Sequence, residues 1–108
     1  MGDTKVVDTD TETMRLLQPY RERIDTLDDQ IVDLLVRRFA VIREVAELKA
    51  ARGIPSVLPA RVTEVLDRNA AAAEAKGLDP DVVRQVFAYL IKHAHDIEDR
   101  AKHAAADG

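Results

Sequence analysis

From about Glu12 to Arg52 apolar residues recur at steps of three and four, with no interruption long enough to end a helix. The row runs Leu17, Tyr20, Ile24, Leu27, Ile31, Leu34, then Val41, Val45 and Leu48. That spacing predicts one long helix that packs along its length against other helices. At ~1.5 Å per residue such a helix spans roughly 60 Å, well beyond the diameter of a compact domain of this size. A chain of 108 residues cannot cover it alone, so a homodimer is expected. The slot between Leu34 and Val41 holds Arg38, and a second row on the same flank runs Leu35, Ile42, Lys49. A cation in an apolar seam is costly unless an anion meets it. Which anion Arg38 and Lys49 hold is therefore the question this sequence poses.

Composition narrows the answer. A hydrophobic share of 46% with 33% charged residues is globular, and four aromatics and four glycines indicate an all-α chain. The absence of cysteine excludes disulfides and thiolate metal sites. No run of eighteen apolar residues and no signal peptide is found, so a soluble, cytoplasmic protein that does not enter membranes is expected. A net charge of −4 argues against nucleic acid as a partner.

Residues 1–11 read as a disordered, polar and acidic tail, 12–103 as one helical domain, and 104–108 as a frayed end. Thr11 or Thr13 can cap the first helix. Pro19 marks either its true start or a kink. Arg52-Gly53 closes it, with a basic last residue and a glycine free to take positive φ. The segment Ile54-Pro55-Ser56-Val57-Leu58-Pro59 is a loop, and Pro59 suits the first position of a second helix. That helix shows Val62, Val65, Leu66, Asn69, Ala72 and Ala73 at helical spacing and ends at Lys76-Gly77. Asp79 caps a third helix with Pro80 at its first position. Its apolar face is Val83, Val86, Phe87, Leu90, Ile91, Ala94, Ile97 and Ala101, with Glu98 at the edge.

Arg38 and Lys49 lie eleven residues apart, three turns plus about 20°, so they share a face roughly 16 Å apart along the axis. Long side chains there can bracket one small anion. Arg21, roughly 25 Å before Arg38, cannot reach that anion in its own chain but can in an antiparallel partner. Arg61 can fold back from the second helix, and Glu98 comes in from the third. The implied pocket is cationic, walled by helices, with one carboxyl group, and suits a small dianion.

These residues carry a resemblance. The pattern Arg21-x-x-Ile24-x-x-x-Asp28, Leu34-Leu35-x-x-Arg38, Lys49, Arg61, Gly77-Leu78-Asp79, Phe87, Ile91 and Glu98 resembles the all-helical chorismate mutases over about residues 15–102. The resemblance implies an all-α fold with three helices per chain, one long and two shorter, intertwined as a homodimer with sites shared between chains. It implies an isomerase that performs a pericyclic [3,3] rearrangement of chorismate, or its 4-amino-4-deoxy analogue, with no cofactor and no metal. Arg21 of the partner chain and Arg38 then bind carboxylates, and Lys49 binds the ether oxygen of the breaking bond and a carboxylate. Arg61 orders the carboxylate end. Glu98 stands where many members have glutamine, and can donate to the ether oxygen only when protonated. Some small members depend on a second enzyme as an activating partner, an expectation the resemblance carries over.

Leu58 and Val62 depart from the pattern, since many chorismate mutases carry acidic residues there that meet the ring hydroxyl. The stretch Gly53-Ile54-Pro55-x-x-x-Pro59-x-Arg61-Val62, with Ile97-Glu98-Asp99, is similar to 4-amino-4-deoxychorismate mutases. The prolines and the Arg-Val pair are also similar to isochorismate-pyruvate lyases. Competing readings need no active site. Arg38 could pair with Asp28 or Asp33 or set helix register, Lys49 could be a lysine with its amine in water, and Glu98 could pair with a neighbouring cation. His95, Asp99 and His103, at four-residue steps, could ligate a metal, although most such faces are only solvated. A dimeric helical interaction module without chemistry is the remaining alternative.

Overall fold

The computed structural model describes residues 11–107, so residues 1–10 of the tail expected at 1–11 lie outside it, whereas Thr11 opens a helix. Three helices follow in order, α1 (Thr11–Arg52), α2 (Pro59–Ala75) and α3 (Pro80–Asp107), and among the described residues there is no strand. The boundaries follow from local chemistry. Gly53 takes φ 66°, and the Ile54 amide donates to the Lys49 carbonyl at 3.0 Å, the closing bond of a left-handed helix stop. Gly77 repeats the device at φ 80°, with Leu78 N–H donating to the Ala73 carbonyl and Gly77 N–H to that of Glu74. Pro59 opens α2, where a missing N–H costs nothing. The Asp79 carboxylate accepts the Asp81 amide at 2.9 Å and caps α3 as expected.

Pro19 sits inside α1, so it does not mark the start of the helix. α3 continues through residues 104–107, expected as a frayed end, because Ala104-Ala105-Ala106 are the strongest helix formers available.

Two compact units divide the chain at Arg37/Arg38, inside α1. In the described part of the first, the apolar row is open to solvent. Tyr20, Ile24, Leu27, Ile31 and Leu34 are each more than half exposed. A lone helical segment offers nothing to bury them against.

The second unit holds the core. Val65, Ala70 and Ala73 of α2 and Ala94 of α3 are buried, and α2 packs along α3. Alanines at these positions let the two backbones approach closely. Ala72, expected on the inward face, is exposed, and Ala70 takes its place. From the end of α1 the Phe39 ring meets His93 of α3 edge-on at 5.2 Å, and Ala46 is 2% exposed. The inward face here is Phe39, Ile42, Val45, Ala46 and Lys49. Val41 and Leu48, on the row expected to form the seam, remain 56% and 53% exposed. Arg38 therefore belongs with the second row, the one that ends at Lys49. No described helix is long and apolar enough to cross a membrane.

Candidate active site

A cavity of about 250 Å³ opens within the second unit. From α1 it is lined by Arg38, Val41, Ile42, Val45 and Lys49, from the loop by Ser56 and Leu58, and from α2 by Arg61, Val62 and Val65. The wall from α3 is Ile91, Ala94, His95 and Glu98. Helical spacing explains the set: 38, 42, 45 and 49 are one face of α1, and 91, 94, 95 and 98 one face of α3.

Lys49 and Glu98 meet in its wall. Lys49 Nζ donates to Glu98 Oε1 at 2.7 Å and to the Ser56 carbonyl at 2.9 Å. Their side chains are 13% and 4% exposed, so this is a buried, charge-assisted pair. The stop at Gly53 turns the chain so that the Ser56 carbonyl returns to Lys49, seven residues earlier. Lys49 is thus held from two sides with little rotamer freedom left. The sequence expected Glu98 at the edge of its helix face; it is 3% exposed and inside.

Arg38 is in the opposite condition. Its Nη1 is buried and has no hydrogen-bond partner. Its guanidinium lies 5.8 Å from the centroid of the Phe87 ring. Burial, and then repulsion from Arg61, lower its pKa below the ordinary arginine value. An arginine stays charged under any condition in which the protein folds, so the result is a strained cation rather than a neutral one. Arg61 reaches the cavity from the first turn of α2 and is paired on its open side with Glu64 at 2.7 Å. That exposed pair contributes little to stability. Three cations and one carboxylate line the site, and the carboxylate is already committed to Lys49. Positive charge remains at Arg38, and Arg61, lining the same cavity, is met only by its exposed pair with Glu64, so a small ligand with two negative charges would suit both.

The structure brings together Arg38, Lys49, Arg61, Glu98, Leu58 and Val62 from the residues singled out in the sequence. Arg21 is not among the lining residues. His95, Asp99 and His103 hold no metal site, since no described group of three His, Cys, Asp or Glu is so arranged. His95 instead lines the cavity, as does Ser56, whose Oγ is also buried without a partner. Neither had been assigned to the site. For His95 the signal was present, three residues before Glu98 on the same helix face.

Residues 20–99 match the family model described as Chorismate mutase type II. The chain belongs to the chorismate mutase type II family. It is 32% identical over 82 residues to the T-protein of Enterobacter agglomerans, covering 76% of this chain but only 22% of that relative. It thus spans less than a quarter of the T-proteins it matches. It is also 32% identical over 83 residues to the 4-amino-4-deoxychorismate mutase of Streptomyces venezuelae, covering 77% of this chain and 81% of the relative. Identity to the isochorismate pyruvate lyase of Pseudomonas aeruginosa is 38% over 76 residues, 69% of this chain and 73% of the relative.

Proposed function

We propose that this chorismate mutase type II chain is a cytoplasmic homodimeric isomerase. It catalyses the pericyclic [3,3] rearrangement of chorismate, or of its 4-amino-4-deoxy analogue, to prephenate or the amino analogue. The observation that carries this reading is that Arg38, whose Nη1 is buried without a hydrogen-bond partner, and a tethered ammonium, Lys49, line one cavity. The reaction needs neither nucleophile nor proton transfer. It needs a flexible dianion held in a compact conformer, and a donor for the negative charge that grows on the ether oxygen as the C–O bond stretches. Arg38 and Arg61 bind the carboxylates, and neutralising them relieves their mutual repulsion. With two of its three N–H bonds given to the Ser56 carbonyl and Glu98, Lys49 donates the third to the ether oxygen while its charge attracts a carboxylate, and this tethering means that little reorganisation accompanies charge development. Leu58 and Val62 pack against the ring end of the substrate.

Arg21 enters from a partner chain in this scheme. Support for a dimer comes from the row of half-exposed apolar side chains on α1, Tyr20 to Leu34 with Val41 and Leu48, which water solvates poorly. A second copy carries the same row and can cover it isologously.

Glu98, which here accepts from Lys49, can donate a second hydrogen bond to the ether oxygen only when protonated, whereas the amide of Glu98→Gln can always donate. Glu98→Gln is therefore expected to change kcat/KM, and an unchanged kcat/KM would remove Glu98 from the mechanism.

The lyase relative keeps a second reading open, elimination of pyruvate from isochorismate in the same cavity. The deciding experiment is an assay of the purified chain against chorismate, 4-amino-4-deoxychorismate and isochorismate, with products identified by mass. Rearrangement of either of the first two establishes the mutase and selects its substrate. Pyruvate from isochorismate establishes the lyase instead. No turnover of any of the three, with or without an added partner enzyme, leaves a non-catalytic helical module.

A further inference from the structure

The cavity wall is rich in donors and short of acceptors. Arg38, Lys49 and Arg61 only donate. Leu58 and Val62 offer a ligand no polar atom. The acceptors that line the cavity are few, and most are already occupied or enclosed. The Ser56 carbonyl is taken by Lys49, and Ser56 Oγ is buried out of solvent reach. Glu98 is 3% exposed and bonded to Lys49. His95 differs from these in both respects. It lines the cavity, its side chain is only partly covered, and its imidazole takes part in no hydrogen bond or ion pair among the described residues. A neutral imidazole presents one acceptor and one donor nitrogen.

We propose that His95 is a substrate-binding residue that accepts a hydrogen bond from a polar substituent on the substrate ring, a hydroxyl or an amine. This rests on the mutase reading above and extends it to the part of the ligand that cations cannot recognise. A dianion held by Arg38, Lys49 and Arg61 still exposes its ring hydroxyl or ammonium to the wall. If that group met only Leu58 and Val62 it would lose its bond to water and gain none in return. His95 lies on α3 one turn before Glu98, on the face that also presents Ile91 and Ala94 to the cavity. It therefore stands beside the catalytic pair without competing for the ether oxygen. Its contribution is made equally in ground and transition states, so it acts on substrate affinity more than on the chemical step.

The test compares wild type, His95→Val and His95→Gln in the full chain, with kcat, KM and melting temperature for chorismate and for 4-amino-4-deoxychorismate. Valine fills similar space without polar atoms, whereas the glutamine carbonyl can accept. His95→Val is expected to raise KM for the substrate turned over by roughly tenfold, the loss of about one hydrogen bond, with kcat within about twofold. His95→Gln is expected to return KM to within about threefold of wild type. An unchanged KM in His95→Val, or the same rise in both variants, would overturn the contact and leave His95 as wall packing. A fall in melting temperature alone, without the KM split, would do the same. Failure of the mutase reading looks different, because then the wild-type chain itself turns over neither compound.

Discussion

Lys49→Met is expected to lower kcat/KM by about 10²–10³-fold, and also to cost about 3–5 kcal/mol of stability. The two losses have different causes and separate in a double mutant. Removing the ammonium takes away the donor to the ether oxygen, which is the scale of effect seen when one preorganised donor to a developing oxyanion is deleted. It also leaves Glu98, 3% exposed, as a buried carboxylate whose charged partner among the described residues is gone. A small domain has about 5–15 kcal/mol to lose in total, so the single variant should be close to unfolding at 37 °C. Adding Glu98→Gln removes the stranded charge. The double variant is expected to recover most of the stability and none of the turnover. Urea melts of wild type, both single variants and the double variant close the cycle. If Lys49→Met melts with wild type, the pair is not the buried, mutually dependent one described above, and Lys49 is an ordinary lysine with its amine in water.

That pair also shows what the sequence could and could not make legible. Arg38, Lys49, Arg61 and Glu98 were readable because each is a charge at an apolar register position or near a helix end, and three helices leave few ways to arrange such faces. The loop closures were readable because glycine and proline act locally: Gly53, Pro59, Gly77 and Pro80 stand where the helices stop and start. Which apolar flank of α1 turns inward within one chain is not carried by the pattern. Apolar periodicity reports that a side chain avoids water, not what covers it. Val41 and Leu48 are as apolar as Ile42 and Val45, yet within one chain they stay open to solvent. A helix with two apolar flanks satisfies two sets of neighbours, and only coordinates tell which flank belongs to α3. Ala70 and Ala72 pose the same difficulty, since alanine carries too little surface for its burial to be decided by pattern. Ser56 was illegible for another reason. Its carbonyl, not its side chain, holds Lys49, and a backbone acceptor leaves no trace in residue identity.

The exposed flank of α1 leads to the second large effect. Arg21→Ala alone is expected to be nearly inactive, and so is the Lys49→Met/Glu98→Gln chain, yet refolding the two together should restore activity. In a dimer whose sites are shared, each site takes Arg38, Lys49, Arg61 and Glu98 from one chain and Arg21 from the other. In a mixed dimer the Arg21→Ala chain keeps its own Lys49 and Glu98, and its partner supplies an intact Arg21, so one of two sites is whole. With random pairing of equal amounts, half the dimers are mixed, and about a quarter of wild-type turnover is expected. The double variant is the right partner because Glu98→Gln removes the buried unpaired carboxylate that would otherwise keep the chain from folding. Native mass spectrometry counts the mixed dimers, so a negative result has content. Mixed dimers without recovered activity would place Arg21 in its own chain's site or outside the mechanism altogether. Monomers throughout would mean that the apolar row from Tyr20 to Leu48 is covered by something other than a second copy, and the shared-site scheme would fall with it. Recovery near a quarter admits neither explanation, because no rearrangement within one chain can return a missing Lys49 to one variant and a missing Arg21 to the other.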